Sequence, residues 1–312
     1  MRPDQQSRSG KQAAEYAFEL TLPADYDPRD ALNFNARDST SLAEQVSRSG
    51  IKKGIVLAGV PVLLHIDLET PDTARCCILA DGKLTPALRE QAEQACRNIL
   101  GLRLDPKDFQ RFAVGDPVFG PLLKRQASLR VVQSATVFEA LTWAIMGQQI
   151  NVPFAVSLRR TFIQQAGRAH SSGLWCYPDA QAAARVDIEQ LTSRQFSKAK
   201  AETLLRLANL IATGELDIDV SLSNSIEAIG EAFLNVKGIG LWTVNYALLR
   251  GYAHADCSLH GDVAVRTAIQ NLTGGDTRPD PAAAQAFLKS YSPHRTMAAA
   301  HLWASLGKKQ RY

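Results

Sequence analysis

Between residues 234 and 243 the chain reads Leu-Asn-Val-Lys-Gly-Ile-Gly-Leu-Trp-Thr. A helical pattern ends, two glycines bracket one apolar residue, and a second helical pattern starts at once. Glycine reaches backbone conformations that side chains forbid, and it lets another backbone approach closely. The second helix opens with unpaired N–H groups at the positive end of its dipole. A turn of this kind can present amides to a phosphate. Gly-x-Gly alone also serves many tight helix–helix turns, so the purely structural reading stays open at this point.

The rest of the pattern divides the chain in two. From Tyr16 to Leu22 apolar residues alternate, which predicts a half-buried strand. Residues 54–60, 62–68 and 74–80 are further strand candidates, with Gly-Val-Pro at 59–61 as a possible joint. Thr85-Pro86 opens a helix to about Leu100. Beyond residue 105 the strand signal fades. Asp105-Pro106 begins a helix, and Thr136-Val-Phe-Glu139 is a capping box before an amphipathic run to about Phe154. Helical stretches then recur up to residue 305, with Gly214 and Gly251 where C-caps belong. The expected class is α+β: an antiparallel sheet domain over residues 13–104, then an all-α region over 105–306.

Composition excludes several classes. The chain of 312 residues is 46% hydrophobic, long enough for two or three cored units. No apolar run approaches the ~18 residues of a membrane span, and the N-terminus lacks a signal-type apolar core. The five cysteines (Cys76, Cys77, Cys96, Cys176, Cys257) are odd in number and form no C-x-x-C pair, against a disulfide scaffold or structural zinc. A reducing cytoplasm fits. Of the net charge of +4, residues 1–12 carry +2 and residues 307–312 carry +3, so the body is near neutral. These ends read as basic tails able to help hold nucleic acid. The body alone does not argue for it.

The wider pattern resembles a known family. The stretch L-x-V-K-G-I-G-x-W-T-x-N-Y over 234–246 is similar to the helix-hairpin-helix of the DNA glycosylase superfamily, and His260-Gly261-Asp262 stands 22 residues after Gly240, where that superfamily has a Gly/Pro-Asp motif. Within it, three further stretches resemble AlkA-type 3-methyladenine DNA glycosylases. They are Tyr26-Asp27 with Leu32-Asn-Phe34-x-x-Arg37, Phe138-Glu139 through Gln148, and Pro293-His294-Arg295 with His301-Leu-Trp303. The likeness spans roughly residues 14–307. It implies a TATA-binding-protein-like sheet domain followed by two helical subdomains flanking a cleft.

The resemblance also implies roles. Asp262 would be the carboxylate that stabilises an oxocarbenium-like sugar or activates water. It also precedes the helical pattern VAVRTAIQNL, so it can double as an N-cap. Asp256 is the nearest rival acid and reads as structural. Phe34, Trp242 and Tyr246 would line an aromatic base pocket, with His294 where the family has a tryptophan. Gln149 would be the wedge that fills the stack. Lys237, Gly238, Gly240 and Thr243 would meet the DNA backbone, Lys237 in place of a family proline. Carbonyls of Leu234, Val236 and Ile239 would hold a structural Na⁺ or K⁺, with no other cofactor. Strand-cutting relatives carry a lysine where this chain has Trp242, which cannot form a Schiff base. The expectation is a monofunctional enzyme excising alkylated purines from duplex DNA, working as a cytoplasmic, nucleoid-associated monomer. Hypoxanthine or an oxidised purine as substrate, and a non-catalytic damage sensor, are the alternatives.

Overall fold

The computed structural model describes residues 14–219 and 224–307. The expected N-terminal tail, and all of the C-terminal tail but Gly307, lie outside the described residues.

The first half contains β1 (Ala14–Thr21), α1 (Arg29–Asn35), β2 (Glu44–Val46), β3 (Gly50–Leu57), β4 (Val60–Asp67), β5 (Thr73–Ala80) and α2 (Pro86–Ile99). The strands form one antiparallel sheet in the order β1-β5-β4-β3-β2. In β1 the alternation predicted from sequence holds: Glu15, Ala17 and Glu19 face solvent, while Leu20 is buried. The joint between β3 and β4 is Ala58-Gly59, both at positive φ, and Val60-Pro61 already belong to β4. Two left-handed residues match the right-handed twist of a hairpin. Thr85 caps α2 through its side chain, with Pro86 in the first turn.

The second half contains α3 (Pro106–Ala113), α4 (Phe119–Arg125), α5 (Val137–Gly147), α6 (Val152–Ala166), β6 (Arg168–Ala169), β7 (Trp175–Cys176), α7 (Ala180–Ala183), α8 (Ile188–Thr192), α9 (Lys198–Ala212), α10 (Ile226–Leu234), α11 (Leu241–Tyr252), α12 (Val263–Thr273), α13 (Pro281–Lys289) and α14 (Arg295–Ser305). Three expectations need correction. The apolar run from Thr136 is two helices, because Asn151 caps a new one with Pro153 in its first turn. Gly251 lies inside α11, not at its end; a Cβ there would stand 3.3 Å from the Val137 Cα of α5. The region is also not purely helical, since β6 and β7 pair within it.

That small ribbon joins the halves. Tyr177 donates its amide to Gly54 at 2.9 Å and accepts from Val56 at 2.8 Å. Gly54 permits the approach, because a Cβ would meet the Trp175 carbonyl oxygen at 2.2 Å. Beside it lies a buried group of four charges. Lys53 of β3 donates to Glu44 at 2.6 Å and to Glu139 of α5 at 2.7 Å, and Arg159 of α6 pairs with both carboxylates. Burial would push the Glu44 carboxyl up, but Arg159 and Lys53 hold it down to about 2. The capping box is thus half formed: Thr136 accepts from the Glu139 amide, while the Glu139 carboxylate serves the cations and the Ala135 amide.

Candidate active site

The hairpin is formed by the end of α10, residues 235–240, and the start of α11. Gly238 has φ +96°, and a Cβ there would fall 2.0 Å from Thr203 Oγ1 of α9. Gly240 is the N-cap of α11 at φ −108°, and a Cβ there would meet nothing within 4 Å. The fold therefore demands the first glycine and leaves space at the second. Lys237, Gly238 and Gly240 are exposed. The Lys237 carbonyl accepts from Arg206 at 3.2 Å. Thr243 differs from the expectation: it is buried, and its hydroxyl accepts from Gln148 at 2.9 Å. Only its amide, in the first turn of α11, is placed to serve an anion.

Asp262 is the N-cap of α12, and Oδ1 accepts from the Val265 amide at 3.0 Å. Two indoles complete its surroundings. Trp242 Nε1 donates to Oδ2 at 3.0 Å and Trp303 Nε1 donates to Oδ1 at 3.2 Å. Three N–H donors are what an ionised carboxylate needs when half-buried. Oδ1 carries two of them and Oδ2 one, so Oδ2 keeps acceptor capacity. Asp256 does not share this environment. It pairs with Arg295 at 2.7 Å and accepts from Ser292; burial pushes its carboxyl up, but the hydrogen bonds from these partners and the Arg295 charge outweigh that and hold it below the usual range.

An aromatic cluster extends from the acid. Trp242, Tyr246 and Arg250 are four apart and share one face of α11. The Trp242 and Tyr246 rings lie 5.3 Å apart, and Tyr246 lies 6.3 Å from Trp303. Trp143 of α5 donates to the Tyr246 hydroxyl at 3.0 Å. Phe34, from α1, joins through cations. The Arg37 guanidinium lies 3.7 Å and that of Arg250 4.7 Å from its ring centre. A small cavity of about 40 Å³ lined by Phe34, Arg37 and Trp143 opens beside it, bordering the buried ion group. His294, expected at the base pocket, lies apart from this cluster: its ring contacts are with Phe112 at 5.2 Å and Phe109 at 6.3 Å, on α3.

Gln149 is exposed, at φ +57°, in the turn between α5 and α6. Gln148 Nε2 ties that turn to the hairpin, donating to the Gly238 carbonyl at 3.1 Å and to Thr243. Lys200 of α9 donates to carbonyls of the same turn, and burial pushes its amine down to about 8. Sequence reasoning missed Trp303, Trp143, Arg250 and Lys200 as parts of the site. The four-residue spacing along α11 would have pointed to Arg250; the others depend on tertiary placement. Among the described residues no group of His, Cys, Asp and Glu is arranged to hold a metal ion. No helix among them is long and apolar enough to cross a membrane.

Comparison with known proteins agrees with this arrangement. Residues 142–294 match the model of the HhH-GPD superfamily base excision DNA repair protein family. The chain is 26% identical to DNA-3-methyladenine glycosylase 2 of Escherichia coli (strain K12) over 295 residues, which is 93% of this chain and 98% of that one. It is 25% identical to the DNA-3-methyladenine glycosylase of Bacillus subtilis (strain 168), over 83% of this chain and 87% of that one. Among solved structures, the 3-methyladenine DNA-glycosylase from Archaeoglobus fulgidus shares the fold with a TM-score of 0.76 at 21% identity, covering 91% of this chain and 96% of that one. The hairpin, the aromatic face of α11 and Asp262 all lie inside the span, residues 142–294, that matches the HhH-GPD superfamily of base excision DNA repair proteins.

Proposed function

We propose that the protein is a monofunctional DNA glycosylase that flips alkylated purines, of the 3-methyladenine and 7-methylguanine type, out of duplex DNA and hydrolyses the N-glycosidic bond. The observation that carries this reading is the carboxylate of Asp262, held by the indole N–H groups of Trp242 and Trp303 at the mouth of an aromatic cluster. The sugar becomes oxocarbenium-like as the bond breaks, and a fixed negative charge beside it lowers the barrier without reorganisation. The spare acceptor capacity of Oδ2 suits it to orient water as well. Trp242 occupies the place of the lyase lysine, so no amine is offered for a Schiff base and the strand is left uncut.

The hairpin supports a grip on the backbone: first-turn amides of α11 and exposed Lys237 would meet phosphates. Gln149 would enter the stack in place of the flipped base. Main-chain carbonyls of Leu234, Val236 and Ile239 are hard oxygen donors of the kind Na⁺ or K⁺ takes. Such an ion would be structural. One lesion per binding event requires only a monomer, and a cytoplasmic, nucleoid-associated location follows from the substrate.

One observation favours a second reading, excision of a neutral base such as hypoxanthine. The cation–π positions on Phe34 are taken by Arg37 and Arg250, which disfavours a cationic purine on that ring. The test is released-base analysis on methylated and on hypoxanthine-containing duplexes, with Asp262→Asn alongside. Release of 3-methyladenine by the wild type, lost in the mutant while DNA binding persists, supports the first reading. Release of hypoxanthine alone supports the second. Binding without release from either substrate leaves a damage sensor.

A further inference from the structure

Lys200 occupies the first turn of α9, where its own helix dipole disfavours a cation. Its side chain leaves that helix for the end of α5. Nζ donates to the carbonyls of Met146 at 2.7 Å, Gln148 at 2.5 Å and Ile145 at 3.4 Å. These are carbonyls that a helix terminus leaves without intrahelical partners, at the negative pole of its dipole. All three ammonium donors are used there.

The same face of α9 continues to the hairpin. Thr203, three residues on, fills the space beside Gly238, and Arg206, three further, donates to the Lys237 carbonyl. Gln148 then links the turn directly to the hairpin through Gly238 and Thr243. Gln149 directly follows the residue that carries both attachments, exposed and in a left-handed conformation that L side chains rarely adopt. One strip of α9 thus backs both the backbone-binding turn and the turn that carries Gln149.

We propose that Lys200 is a positioning residue for base displacement, clamping the 148–151 turn so that Gln149 enters the stack when the hairpin seats on DNA. This rests on the glycosylase reading given above. Lys200 touches neither the base nor the sugar; its effect falls on the opening of a paired lesion. A lesion without a partner base costs less to extrude, so it depends less on the clamp.

The experiment compares single-turnover excision of 7-methylguanine placed opposite cytosine and opposite an abasic-site analogue, using full-length protein. Lys200→Met is expected to lose about 10-fold on the paired substrate and less than about threefold on the unpaired one. Lys200→Arg, which keeps the charge and several donors, is expected to return the paired rate to within about threefold of wild type. Equal losses on both substrates would indicate a merely structural role and overturn the proposal, as would no loss on either. Should Lys200→Met melt below the assay temperature, the same ratio in Lys200→Gln decides. A wild type that releases base while the ratio stays unchanged sinks only the role of Lys200. A wild type that releases none from either duplex sinks the alkylated-purine reading on which this role rests, and the role with it.

Discussion

The indole nitrogen of Trp242 donates to Oδ2 of Asp262 at 3.0 Å, across twenty residues of sequence. Trp242 is therefore an orienting partner of the acid. Trp242→Phe keeps an aromatic ring and removes this donor. Excision under single turnover is expected to fall about 10-fold, the worth of one hydrogen bond to a charged group. Affinity for undamaged duplex should stay within about twofold, since the lost bond faces Asp262 and not the phosphates. Quench-flow rates and anisotropy titrations check the two halves.

The two hairpin glycines should separate stability from binding. Gly238→Ala forces a methyl into Thr203 at positive φ and is expected to cost about 2–3 kcal/mol by denaturant unfolding. Gly240→Ala meets open space at an ordinary φ, so its unfolding should change by less than about 0.5 kcal/mol. Its methyl would nevertheless stand between the α11 amides and an approaching phosphate, and duplex affinity should drop.

Lys237→Ala tests the backbone contact from the side-chain end. If the exposed ammonium neutralises one phosphate, the slope of log affinity against log salt should shrink by about one unit. An unchanged slope would remove Lys237 from the interface.

Within the buried ion group, Lys53→Met leaves Glu44 and Glu139 to share Arg159 alone. Loss of one partner from a buried set strands charge, so unfolding should become easier by about 3–5 kcal/mol. Burial pushes the Glu44 carboxyl up and the variant removes part of what holds it down, so any shift in its folded-state pKa is upward; raising the pH from 6 to 8 therefore should not rescue the variant. Thermal melts across that range measure both expectations.

Lys200 makes two signals run in opposite directions with pH. Its amine, lowered by burial to about 8 from an ordinary 10.5, loses its proton earlier in the folded chain than in the unfolded one. Between those values the unfolded chain holds more protons, so this group makes stability rise with pH. The charge that grips the α5 carbonyls disappears over the same window, so excision of a paired lesion should fall above about pH 8. Lys200→Arg should lack that falling limb, as seen by rates and melts measured from pH 7 to 9.5.

How far the sequence reached depended on how local each signal was. β1 was legible because apolar residues alternate along it, and α2 because Thr85 and Pro86 mark its start. The short α1 and α4 escape such a reading because each has only seven residues, although Asp27-Pro28 and Asp116-Pro117 precede them and both carboxylates accept from the first amides. The break after Gly147 hid inside an apolar run, although Asn151-Val-Pro153 is a start signal in its own right. Asp262 and Trp242 could be singled out because their spacing from the hairpin is fixed along one stretch of chain. Trp303 reaches the same carboxylate from 41 residues away, and Trp143 meets Tyr246 from 103 away. No periodicity encodes such meetings. The Thr243 hydroxyl looks available in a binding turn until Gln148 is seen holding it.

The seam between sheet and helices has a consequence for how this protein can be divided. A chain cut near residue 105 would look like a self-sufficient helical unit, with hairpin and acid intact. It would carry Glu139 and Arg159 to a new surface without Glu44 or Lys53, leave Tyr177 without its β3 neighbours, and lack Phe34 altogether. The sheet half is therefore not a detachable module. Lineages or designs that discard it must rewrite α5 and α6 at the same time, because those two helices are built to face a partner.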